Sequence, residues 1–116
     1  MRGIPLSAHG AIEMFAAPAI MAAPFLLGFG QAATVAAVLV GVALLGLALQ
    51  TDGSGRAVPL SAHAGFDYAL AFTALVGGVA VGLITGEWYA TIFLVGVGAA
   101  QVVLTASTRF SAPRGA

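Results

Sequence analysis

Two imidazole–carboxylate pairs stand out in the chain: His9 with Glu13, and His63 with Asp67. Each pair is four residues apart, which on an α-helix puts both groups on one face, a turn apart. Two imidazoles and two carboxylates brought together have several chemistries open to them. They can pair with one another as a buried polar cluster. By ligand type they suit a Zn, Fe or Mn ion. His9 and His63 could be axial ligands of a haem, with Gly10 and Gly65 making room. Glu13 and Asp67 could instead titrate in a small proton-coupled transporter. The residues alone leave these readings open, and with them the identity of any cofactor.

The elements that must position these groups are strongly apolar. Of 116 residues, 60% are hydrophobic and only 7% are charged, and the formal net charge is zero. The mean hydropathy is +1.06. A soluble domain carries about 25% charged residues, so this composition points to an integral membrane protein. The chain has no Cys, which excludes a disulfide scaffold, a thiolate metal site and a cysteine nucleophile. It has no basic surplus, so nucleic acid is not an expected partner. No phosphate loop, nucleophile elbow, zincin motif or credible Ser-His-Asp set is present, and the expectation is a protein that is not an enzyme.

A membrane-spanning helix needs about 20 mostly apolar residues. Four segments qualify: Leu6 to Phe29, Ala32 to Gln50, Leu60 to Thr85 and Tyr89 to Ser107. The loop between the second and third, from Thr51 to Pro59, is polar and Gly-rich, a turn signal. All four arginines (Arg2, Arg56, Arg109 and Arg114) fall in the segments that share one membrane face. The positive-inside rule then makes both termini cytoplasmic, with Trp88 and Tyr89 at the outer interface. The first segment is too long for a signal-peptide core and holds His9 and Glu13.

The chain also repeats itself. Arg2-Gly3-Ile4-Pro5-Leu6-Ser7-Ala8-His9 recurs as Arg56-Ala57-Val58-Pro59-Leu60-Ser61-Ala62-His63. Glu13 matches Asp67 and Gly28 matches Gly82; further on the offset grows by three, so that Ala33-Thr34 matches Ala90-Thr91 and Gly41 matches Gly98. The expected architecture is therefore all-α: a polytopic bundle of four transmembrane helices in two tandem two-helix repeats. Residues 1–55 form the first repeat, 56–108 the second and 109–116 a mobile cytoplasmic tail. Two crossings per copy give both the same orientation, hence a pseudo-two-fold axis along the membrane normal.

The pattern Pro-x-x-x-His-x-x-x-acid, followed by Ala23-Pro24-Phe25-Leu26-Leu27-Gly28-Phe29, resembles the SPW-repeat family of small bacterial membrane proteins. Phe25 stands where that family's Trp would be, and Gly78 replaces the Pro of the second copy. The resemblance implies a bacterial cytoplasmic (inner) membrane location, this topology and a polar site, but no reaction. Glu13 in the first of four spans is also similar to the membrane-embedded Glu of small multidrug resistance transporters, although here the acid is duplicated as Asp67.

The two polar pairs share their helix faces with a stripe of mostly small residues: Ala71, Ala74, Gly78 and Gly82 on the third helix, with Gly86 following, and Ala16, Ala17, Ile20, Pro24 and Gly28 on the first. Small residues let helix backbones approach closely. His9, Glu13, His63 and Asp67 are thus expected to converge near the pseudo-two-fold axis, on the cytoplasmic side. Arg2 and Arg56 would stand at its mouth, pairing with the acids or with lipid phosphates. Ser7 and Ser61 read as helix N-caps. Gln101 reads as a helix–helix hydrogen bond, and Thr34, Thr73, Thr91 and Thr105 as bonding back to their own helices. Asp52 and Glu87 read as solvated loop charges. The expected role is a non-enzymatic accessory, scaffold or ligand-holding subunit. Its partners would be membrane lipids and a second copy or a larger membrane complex.

Overall fold

Long apolar runs punctuated by glycine turns fold here into four helices. The structure is a computed structural model and describes residues 3–50 and 60–110, the side chains of Leu60 and Ser61 excepted. Helix α1 spans Leu6–Leu26, α2 Gln31–Ala48, α3 Leu60–Thr85 and α4 Trp88–Ala106. All four are long and apolar enough to cross a membrane. Two short strands, β1 (Ile4–Pro5) and β2 (Thr108–Arg109), pair in parallel beside the start of α1. Arg109, the first residue of the expected tail, is paired with Pro5. Residues 111–116 lie outside the described residues, as do Arg2, Asp52, Arg56 and Arg114.

Two helical hairpins, α1 with α2 and α3 with α4, pack on each other chiefly through α2 and α3. Each hairpin turns at a glycine with a left-handed backbone: Gly28 at φ 70° and Gly86 at φ 75°. After α1 the Leu27 amide donates to Ala23 and the Phe29 amide to Pro24, a Schellman-type ending that needs such a residue. The sequence match of Gly28 with Gly82 does not hold as a match of turns, because Gly82 is buried within α3. Helix α3 runs five residues longer than α1, and its turn is two residues shorter. That difference is the origin of the three-residue growth in the repeat offset.

The helix faces that pack together are lined by small residues. The Ala17 carbonyl of α1 lies against Gly41 of α2, and the Ala71 carbonyl of α3 lies against Gly98 of α4. These contacts fall at matching places in the two copies. The apolar core joins Phe29, Ala33 and Ala37 to Val81, Ala90 and Leu94, and joins Ala17 and Ile20 to Val40, Leu44 and Ala74. The bulky apolar side chains mostly face outward: Phe15 is 80% exposed, Leu26 84% and Ile84 82%.

Helix entry differs from expectation. Pro5, in extended conformation, is the N-cap of α1, and no side chain caps it. The helix begins at Leu6, so Ser7 lies inside the first turn and is exposed rather than capping. The expected cap at Ser61 falls on a side chain outside those described.

Candidate functional site

Spacing of four on α1 and on α3 carries each His/acid pair inward. His9, Glu13, His63 and Asp67 are all fully buried. They converge as expected, and each offers a ligand atom within 4.8 Å of those of the others. His9 Nε2 lies 3.0 Å from Glu13 Oε2 and 3.1 Å from Asp67 Oδ2. His63 Nε2 is 3.2 Å from Asp67 Oδ2, but off the line a hydrogen bond requires. Among the described residues, both ring nitrogens of His63 and Glu13 Oε1 are buried without a hydrogen-bond partner.

Three further residues complete the site. Gln101 on α4 donates through Nε2 to Glu13 Oε2 at 2.7 Å and to Asp67 Oδ1 at 3.0 Å. It makes the helix–helix hydrogen bond expected of it, and its partners are the carboxylates of the two repeats. Thr108 on β2 meets His9 Nδ1 at 2.8 Å. Phe110 sets its ring against both imidazoles, with centroids 5.2 Å from His9 and 5.8 Å from His63. Gln101 was not recognisable from the repeat, because its counterpart at the later offset is Leu44. The same offset does match Thr108 with Thr51, a signal that was present in the sequence; Thr51 lies outside the described residues.

The tautomer of His9 follows from these contacts. The Thr108 hydroxyl donates to the Leu104 carbonyl at 2.6 Å. A hydroxyl has one hydrogen, so toward His9 it can only accept, and His9 Nδ1 carries a proton. Nε2 is then either bare or the second N–H of an imidazolium. In both cases the four groups, with both carboxylates ionised and His63 neutral, carry a net negative charge. Burying an unpaired charge costs several kcal/mol even after relaxation. Of the four arginines only Arg109 is described, and it is exposed. Among the described residues, the site has no arginine beside it and is rich in donor atoms.

Elsewhere, Glu87 lies in the loop between α3 and α4 as expected, but its carboxylate has partners. Its carboxylate accepts from the Gly30 amide at 3.0 and 3.1 Å and from the Tyr89 hydroxyl at 2.6 Å. It thereby caps the start of α2 from the other hairpin. These donors hold its carboxyl below the usual carboxylate range. Thr91 does not bond back to its own helix; it donates across to the Gly78 carbonyl of α3 at 2.6 Å. Thr73 does bond back, to Ala69, and Thr34 donates to the Phe29 carbonyl. Thr105 Oγ1 has no partner among the described residues.

No family model matches the chain, nor does any curated protein or solved structure.

Proposed function

We propose that this is an integral membrane protein that holds one divalent transition-metal ion between His9, Glu13, His63 and Asp67. It is a non-enzymatic, ligand-holding module of two tandem hairpins related by a pseudo-two-fold axis along the membrane normal. Both termini face the cytoplasm, in keeping with the distribution of the arginines. The resemblance to the SPW repeat supports a bacterial inner membrane. Insertion is favoured by the packing itself, with alanine, glycine and polar groups inside and Phe15, Phe25, Leu26, Leu83 and Ile84 outside. Lipid, not water, suits such a surface, because exposed apolar patches of this extent are rare on soluble monomers.

One observation carries the metal reading. The His63 ring nitrogens and Glu13 Oε1 are fully buried, without hydrogen-bond partners among the described residues, and belong to the one four-residue donor group. Leaving such groups unpaired costs about 1–3 kcal/mol each, more where charged. A divalent cation would engage one of the two His63 nitrogens and the Glu13 carboxylate, and neutralise the two carboxylates together. Tetrahedral zinc with bonds of about 2.0–2.2 Å places its donors roughly 3.3 Å apart; three donor pairs here are already 3.0–3.2 Å apart, and all four donors lie within 4.8 Å of one another. A haem fits less well, because Glu13 and Asp67 fill the space in front of His9 Nε2.

The test is equilibrium dialysis of the detergent-solubilised protein, free of any histidine tag, against zinc, manganese or iron(II), followed by elemental analysis. One ion per chain is expected, lost in His63→Ala and in Glu13→Ala. Uptake by the native protein no greater than that of the His9→Ala/His63→Ala double variant would overturn the reading.

A further inference from the structure

The strand that follows α4 ends in the metal-site candidate, and the four ligand residues alone do not account for it. Parallel pairing of Ile4 with Thr108 and of Pro5 with Arg109 ties the start of the chain to the end of α4. The Ile4 amide also donates to the Ser107 carbonyl at 2.9 Å. This pairing delivers the Thr108 side chain, fully buried, to Nδ1 of His9. From Nδ1 the contacts run on through Thr108 Oγ1 to the Leu104 carbonyl, which is held by the backbone of α4.

We propose that Thr108 is the positioning residue of this site. By accepting from Nδ1–H and donating to Leu104, it locks His9 in the tautomer whose Nε2 faces Glu13 and Asp67. Nε2 is the only nitrogen of His9 that reaches both carboxylates, so a ring flipped or protonated the other way would offer the ion no lone pair there. An outer hydrogen bond of this kind fixes a metal-binding imidazole and raises its basicity, and its loss typically lowers metal affinity 10–100-fold. The assignment of the ion rests on the function proposed above; the assignment of the tautomer does not.

Two measurements separate these claims. The first is two-dimensional nitrogen-15 NMR of the histidine rings in the metal-free protein. The native protein and Thr108→Ser should show His9 as the Nδ1–H form, or as imidazolium with both nitrogens protonated. Thr108→Val, matched in shape but lacking the hydroxyl, should lose the Nδ1–H signature. A native His9 protonated on Nε2 alone, or a Thr108→Val spectrum unchanged at His9, would overturn the proposal. The second is zinc titration against a competing chelator. Thr108→Val should bind 10–100-fold more weakly with one ion per chain retained, and Thr108→Ser should restore binding. Affinity in Thr108→Val within twofold of native would equally overturn it. Absence of zinc uptake by the native protein would sink the metal reading alone, and the NMR result would then decide the role of Thr108.

Discussion

Gln101 offers the sharpest quantitative test of how the two hairpins are joined. Its amide nitrogen donates to Glu13 on α1 and to Asp67 on α3, at 2.7 and 3.0 Å. Gln101→Leu removes both bonds at nearly constant volume, and leucine is what the first copy carries at the matching position, Leu44. Interhelical hydrogen bonds in membranes average about 0.6 kcal/mol and reach about 1.7. Bonds to charged groups run roughly twice as strong as neutral ones. Two such bonds therefore give an expected loss of about 2–3 kcal/mol, or 30- to 150-fold in the folded-to-unfolded ratio. Gln101→Glu should cost more, since it adds a third carboxylate within hydrogen-bond reach of the other two. The assay is reversible unfolding by SDS in mixed micelles, followed by helical circular dichroism. A loss below about 0.5 kcal/mol for Gln101→Leu, or equal losses for the two variants, would refute the bridging role. Zinc should still bind Gln101→Leu at one ion per chain, because Gln101 is not among the proposed ligands.

Three other outcomes follow from the same geometry. Phe110→Ala should speed zinc release to a chelator while leaving the stoichiometry at one, because the ring covers both imidazoles; an unchanged release rate in stopped-flow would contradict the covering role. Glu87 has a lowered folded pKa, so its contribution is present above the unfolded Glu value of about 4.3 and is lost as pH falls through the lower folded value. The emission of Trp88 should therefore shift below about pH 4 in the native protein and not in Glu87→Gln. Gly98→Ala would bring a methyl group to 2.8 Å from the Ala71 carbonyl oxygen, an overpacking cost of about 1–3 kcal/mol. Gly41→Ala would meet Met21 Cγ and, at 3.0 Å, the Ala17 carbonyl oxygen, and should cost a similar amount in the same SDS assay.

The helices were legible because apolar runs of spanning length are a strong signal, and because duplication of His9/Glu13 as His63/Asp67 marked one face of α1 and one of α3. Small residues on those faces, Ala17 and Ala71 among them, then predicted close approach, which the structure has where their carbonyls meet Gly41 and Gly98. What escaped was set by tertiary contact. Gln101 has no polar counterpart in the first copy. Thr108 and Phe110 lie beyond the last span, where the β1–β2 pairing and the Thr108 bond to Leu104 tie the chain back beside the site. Glu87 looks solvated in sequence but caps a helix 57 positions away. Ser7 was misplaced by two residues, because Pro5 already ends the extended segment that precedes α1.

The central claim is that His9 and His63 act together on one ion. X-ray absorption on zinc-loaded protein, native and His63→Ala, tests it most directly. The native spectrum should show low-coordinate zinc at about 2.0–2.1 Å with outer-shell scattering from two imidazoles, falling to one or to no bound zinc in the variant. Zinc surrounded only by oxygen donors, or a spectrum identical in His63→Ala, would contradict it.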